Sequence, residues 1–172
     1  IYKFHNIHHT LNVVQFCHEL GEYYRLTKTD MEKLLLAAWF HDTGYCLNID
    51  DHESASVTIV STFLDSQNVT ENYMPSVENL ILATKRLREP VMLAEQIICD
   101  ADTQHLGADD YLKWSALLKE EFELKNCQEL SDKEWSYKNI CFFNSHRYFT
   151  DYAQRMWGGQ KLKNLNQLKA GK

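Results

Sequence analysis

His41 and Asp42 stand side by side at the end of an apolar stretch, Leu34 to Phe40, with Gly44 close behind. A helix built from that stretch is apolar on every face and therefore buried, so polar groups at its end need partners to offset their desolvation. A divalent cation is such a partner, because it binds neutral imidazole nitrogen and carboxylate oxygen together. His5 and His9 are four residues apart, which puts them one turn apart on one helix face, where two imidazoles can share a site. His8 points about 100° away from His9 and belongs to a different environment. Asp100 and Asp102 flank Ala101 after another apolar run, and a carboxylate delivered from there completes a two-histidine, two-carboxylate set. Such a set suits Mn²⁺, Fe²⁺ or Zn²⁺, and Mg²⁺ is also admitted as the divalent cofactor. Taken singly, these residues have plainer readings: a histidine beside a core helix is usually a hydrogen-bonded structural residue, and an aspartate pair is usually a helix cap.

The elements that must position these groups read as helices throughout, and no run alternates strictly enough to call for a sheet. The first is expected from about Asn6 to Tyr24, with Leu11, Val14, Phe16, His18 and Leu20 partly inward and Gly21 able to end it early. Thr29-Asp30-Met31-Glu32 reads as the capping box of the second, with Gly44 as its C-terminal cap. A third starts near Asp50 or Asp51, Gln67 to Tyr73 is a connecting loop, and Pro75 opens a fourth carrying Val77, Leu80, Ile81 and Thr84 on one face. Pro90 opens a fifth with Val91, Ala94, Ile97 and Ile98 inward. Tyr111 to Leu124 is amphipathic, with Leu112, Ala116, Leu117 and Phe122 on its apolar side. Ser131-Asp132-Lys133-Glu134 is a second capping box, and His146 to Met156 continues helically towards Gly158-Gly159. The expected fold is an all-α, single-domain helical bundle of about seven to eight helices.

Composition fits that reading. The 172 residues, 44% of them apolar, can build one core without disulfides. Five cysteines without C-x-x-C spacing read as the reduced thiols of a cytoplasmic protein. A net charge of −6 argues against a nucleic-acid polymer as partner, since that binding is driven by lysine and arginine, but a small anion needs only a local positive site. No apolar run is long enough to span a bilayer and the first residues are not a secretory signal. The missing initiator methionine leaves a longer parent chain open, and with it a further partner domain or a homo-oligomer.

These spaced elements resemble the HD-domain superfamily of metal-dependent phosphohydrolases. Phe4-His5-Asn6-Ile7-His8-His9-Thr10 resembles the family's Tyr-His-Asn-x-x-His segment, with phenylalanine in place of tyrosine. Ala38-Trp39-Phe40-His41-Asp42-Thr43-Gly44-Tyr45 matches the doublet at a helix end. Cys99-Asp100-Ala101-Asp102-Thr103-Gln104-His105-Leu106-Gly107 resembles the Asp-Ala-Asp-Leu-x-x-Leu-Gly stretch, with Thr103 in place of leucine. The resemblance spans roughly residues 4 to 112 and implies an HD-type helical bundle. It implies metal ligation by His9, His41, Asp42 and Asp102, Asp102 being favoured over Asp100. His5 resembles the proton donor of cyclic-nucleotide phosphodiesterases, and Asp42 or Asp100 is expected to orient or deprotonate the attacking water.

Three further places bear on substrate. His52-Glu53-Ser54-Ala55-Ser56 resembles His-Glu-x-x-Ser segments of HD relatives, where His52 and Glu53 serve a second metal or His52 a phosphate; a capped helix start is the plainer reading. Lys85 resembles a basic residue that holds a substrate phosphate, though a helix C-terminus favours a cation anyway. His146, with Arg147, Tyr148, Thr150 and Lys161, forms a late polar cluster expected either to touch substrate or to be a solvated face. The expected activity is metal-assisted hydrolysis of a phosphoester, phosphodiester or pyrophosphate bond in a small nucleotide-like substrate. The alternative is a nucleotide-sensing HD module that binds its ligand without turnover.

Overall fold

The computed structural model describes residues 2–69, 73–86 and 88–171. These residues form eight α-helices: α1 (Ile7–Tyr23), α2 (Lys28–Phe40), α3 (His52–Ser66), α4 (Met74–Ala83), α5 (Leu93–Asp102), α6 (Tyr111–Asn126), α7 (Asp132–Ser145) and α8 (Asp151–Ala170). Short 3₁₀ turns follow α2 (Thr43–Cys46) and α5 (Gln104–Gly107), and no strand is found among the described residues. The all-α expectation and the helix count hold. Of the expected loop from Gln67 to Tyr73, residues 70–72 lie outside the described residues.

The chain divides into two compact units, Ile7–Asp102 and the rest. In the first, α1 packs against α2 and α5, α2 also meets α4, and α3 packs on the Thr43–Cys46 turn and on α4. Its core joins Val13, Cys17 and Leu20 of α1 to Leu34, Ala37 and Ala38 of α2, with Val60, Ile81, Ile97 and Ile98 from the other three helices. The inward face of α1 is therefore His9, Val13, Cys17 and Leu20, a run of i, i+4, i+8 and i+11. This corrects the expected face, because Leu11 and His18 point to solvent. Nor is α2 buried all round: Trp39 is exposed on the side away from the core.

Three helix boundaries differ from expectation for capping reasons. The cap of α2 is Thr27 rather than Thr29, since its hydroxyl accepts from Asp30 N at 3.1 Å and donates to the Asp30 carboxylate at 2.7 Å. The fifth helix begins at Leu93 and not at Pro90, because the Glu95 carboxylate reaches back to accept from Val91 N at 2.7 Å and Met92 N at 3.1 Å. Val91 is consequently 79% exposed rather than inward. Gly44 does not cap α2 at all. A Cβ there would lie 1.9 Å from the His52 carbonyl oxygen and 2.5 Å from Ser56 N, so glycine is what lets the turn lie against α3.

In the second unit, α8 packs against α7 and the Gln104–Gly107 turn. Asn164 fixes that contact, its Nδ2 donating to the carbonyls of Leu106 and Ala108 at 2.9 Å each. Ser131 and Glu134 make the expected reciprocal capping box. The expected helix from His146 is interrupted: His146 is extended, Thr150 starts α8 by accepting from Ala153 N at 3.2 Å, and α8 then runs through both glycines. The apolar side assigned to α6 is also corrected. Leu112 and Ala116 are exposed, while Tyr111, Ser115 and Glu121 face inward. Each of those polar groups has a partner that makes burial tolerable: Tyr111 donates to Asn139 Oδ1 at 2.6 Å, and Ser115 accepts from Trp135 Nε1 at 2.9 Å.

Candidate metal centre

Three helix ends within Ile7–Asp102 deliver the central side chains: His9 from the first turn of α1, His41 and Asp42 from the end of α2, and Asp102 from the last residue of α5. One ligand atom each from His9, His41 and Asp42 falls within a mutual 4.8 Å. Asp102 stands outside that tightest trio but touches both imidazoles. Its Oδ1 is 3.0 Å from His9 Nε2 and 3.6 Å from His41 Nε2. Asp42 Oδ2 lies 3.4 Å from His9 Nε2 and 3.2 Å from His41 Nε2. Two imidazole nitrogens and two carboxylates from separate elements thus converge on one point.

The local backbone is arranged to aim them. His41 is only 1% exposed, and its Nδ1 donates to the Ala38 carbonyl at 2.8 Å, which turns Nε2 towards the carboxylates. Ser56, fully buried, ties the end of α2 to α3: its hydroxyl donates to the His41 carbonyl at 2.7 Å and accepts from Gly44 N at 2.8 Å. After this ordering, His41 Nε2 and Asp42 Oδ2 remain buried with no hydrogen bond among the described residues. Leaving such an atom unsatisfied costs about 1–3 kcal/mol, more if it is charged. A divalent cation fits both the donor set and this deficit, and His9, His41, Asp42 and Asp102 are the residues that would hold it.

Without metal, the cluster balances its own charge. Burial pushes the His41 imidazole pKa down, but the Asp42 and Asp102 carboxylates outweigh it and hold the group well above the usual histidine value. His9 is raised in the same way, by Asp102 and Asp42 against burial. Burial pushes both aspartates up, and the two imidazoles overcome it and hold them well below the usual carboxylate range.

The remaining expected site residues fall in different surroundings. His52 stacks on Tyr45, ring centroids 4.1 Å apart, and its Nε2 is 3.6 Å from Asp42 Oδ1 and 3.5 Å from Glu53 Oε1. Asp42 therefore turns one oxygen to His9 and His41 and the other to His52. Lys85 is engaged nearby, its Nζ 2.6 Å from Asp51 Oδ1 and donating to Ser54 Oγ at 2.8 Å. Asp100 has no exposed surface. Two residues along a helix differ by about 200°, so Asp100 and Asp102 face different surroundings, and Asp102 is the one that meets the imidazoles.

His5 lies ahead of α1, which begins at Ile7, so the one-face argument pairing it with His9 does not apply. It belongs to the second unit, where its Nδ1 pairs with Glu121 Oε1. His146, in the same unit, has Nε2 2.9 Å from Thr103 Oγ1. Sequence reasoning missed Glu121 and the part played by Ser56. The His-Glu-x-x-Ser segment signalled Ser56, whereas nothing in the amphipathic pattern of α6 marks one glutamate as buried.

Residues 6–106, more than half of the chain, match the family model described as HD domain. No curated protein and no solved structure matches the chain.

Proposed function

The chain belongs to the HD domain family, whose members are typically metal-dependent phosphohydrolases, and from that premise we propose that it hydrolyses a phosphoester, phosphodiester or pyrophosphate bond of a small nucleotide-like substrate. One observation carries the reading: His41 Nε2 and Asp42 Oδ2 are buried, aimed at a common point and left without hydrogen bonds among the described residues. The Ala38 carbonyl fixes the His41 ring and Ser56 fixes the backbone beneath it, so both imidazoles and both carboxylates face one point.

His9, His41, Asp42 and Asp102 would hold a divalent cation, which would supply Lewis acidity towards a phosphoryl oxygen and bound water. Asp42 has two jobs in this scheme. Its Oδ2, on the His41 side, would join the metal set, while Oδ1, on the His52 side, accepts a proton from or orients the attacking water. His52, stacked on Tyr45, donates from Nε2 to a substrate phosphate oxygen. Lys85 contributes positive charge only after leaving Asp51 and Ser54, so its part is secondary to that of His52.

The test is turnover of p-nitrophenyl phosphate, bis(p-nitrophenyl) phosphate and a nucleotide panel with Mn²⁺, Fe²⁺, Zn²⁺ or Mg²⁺, for the wild type and for Asp42→Ala. Metal-dependent release of product that is lost in the variant is the expected result. Saturable nucleotide binding without turnover under every metal would overturn hydrolysis in favour of the sensing module.

A further inference from the structure

The second unit contains a cleft of about 470 Å³ between α7, the α7–α8 connection and α8. Lys161 is the key group. Its Nζ donates to the His146 carbonyl at 2.6 Å and sits 5.5 Å from the centre of the Tyr148 ring. Among the described residues no carboxylate pairs with it, although the chain as a whole carries a net charge of −6. An ammonium has three N–H donors, so two remain for a guest after the carbonyl is served. Burial lowers the pKa of this lysine, the effect of a cation kept partly from water without a counter-ion.

Arg147 and Gln154 also line the cleft, and Phe143, Leu162 and Leu165 give it an apolar wall. Gly158 lines it too, in the interior of α8. Glycine there forms a helix less readily than alanine would. Its φ is not positive, and a Cβ would meet nothing within 4 Å.

We propose that this cleft binds a small organic phosphomonoester, its head on Lys161 and Arg147 and its apolar body against Phe143, Leu162 and Leu165. A phosphomonoester carries about −1.5 to −2 charge at pH 7 and three acceptor oxygens, which suits the two donors left on Lys161 and the Arg147 cation at the rim better than one carboxylate does. The volume falls in the range of small-molecule pockets, about 300–1,000 Å³. All the lining residues lie within the second unit, so the site needs no metal and goes beyond the hydrolase reading.

The experiment is calorimetric titration of the full chain in EDTA with benzylphosphonate, whose C–P bond resists hydrolysis. Saturable binding is expected for the wild type and equally for Asp42→Ala. Lys161→Met should weaken it by about tenfold or more, the loss of a charge-assisted hydrogen bond. Gly158→Leu should abolish it while keeping or raising the melting temperature, since leucine favours a helix more than glycine does. Should that variant fail to fold, Lys161→Met decides alone. No saturable binding to the wild type, or binding unchanged in Lys161→Met, overturns the proposal. Loss of binding in Asp42→Ala also overturns it by moving the anion to the metal centre, and phenylacetate binding as tightly as benzylphosphonate overturns the phosphate assignment. None of these results touches metal-dependent turnover, which is measured separately.

Discussion

Two histidine–carboxylate pairs in this chain use the same chemistry to opposite ends. Glu121, buried in α6, accepts from Phe4 N at 2.8 Å and His5 N at 3.1 Å through one oxygen and pairs with the His5 ring through the other. Both of its oxygens are in use. Asp42, beside the buried His41, has a buried oxygen that makes no hydrogen bond, and His41 has a ring nitrogen in the same condition. The first pair pins a chain segment ahead of α1 to α6. The second gathers ligand atoms that could hold a divalent cation. Both pairs join an imidazole to a largely buried carboxylate, so that chemistry alone does not mark a candidate metal site; what separates the pairs is whether backbone donors complete the carboxylate.

The sharpest way to break this contrast is Asp42→Ala. Metal, measured by elemental analysis after loading and desalting, should fall from near-stoichiometric to little. Activity should drop on the order of 10³-fold, the loss of several kcal/mol of Lewis-acid stabilisation. The matching change Glu121→Gln should leave metal content unaltered. Gly44→Ala comes next. Its Cβ would meet backbone atoms of α3 that cannot yield, so the cost should exceed about 3 kcal/mol, beyond the 1–3 kcal/mol typical of overpacking, and urea denaturation would read it.

The sequence carried the centre better than it carried the frame around it. The grouping of His9, His41, Asp42 and Asp102 was legible because the order of spaced polar residues along the chain survives whatever the helices do at their ends. Helix faces were less legible, since an apolar count cannot see partners. Ser115 and Glu121 point inward because Trp135 and the Phe4–His5 backbone satisfy them, and Leu112 is left outside in consequence. Boundaries failed for a related reason. Glu95 accepts from the Val91 and Met92 backbone N–H groups, so the helix expected to open at Pro90 starts at Leu93, and Gly44 serves a close approach between segments rather than a cap.

Ser56→Ala sharpens the comparison from the side of the scaffold. The hydroxyl accepts from Gly44 N and donates to the His41 carbonyl, so its loss leaves a buried N–H without this acceptor, at about 1–3 kcal/mol of stability. It also loosens the backbone that aims His41, and metal affinity should fall about 10–100-fold, as for other groups that orient metal ligands. Competition with a fluorescent chelator would measure it. A variant that loses stability but keeps its affinity would show that Ser56 serves the fold and not the centre.

Glu121→Gln is the smallest effect and tests the closed pair. Burial pushes the Glu121 carboxyl pKa up, but His5 and the Phe4 and His5 backbone N–H groups outweigh it and hold the pKa below the usual glutamate value. A group depressed in the folded state contributes stability that is present above its unfolded pKa, about 4.3, and is lost as the pH falls through the lower folded value. The wild type should therefore lose this contribution on acidification below about pH 4. Gln keeps one acceptor oxygen for the backbone donors but not the charge. The variant should be less stable by about 1–2 kcal/mol at pH 7, and the difference should shrink as the pH is lowered through that window. Urea denaturation at pH 7 and at pH 3 measures both limbs. An equal deficit at the two pH values would mean that shape rather than charge holds His5 to α6.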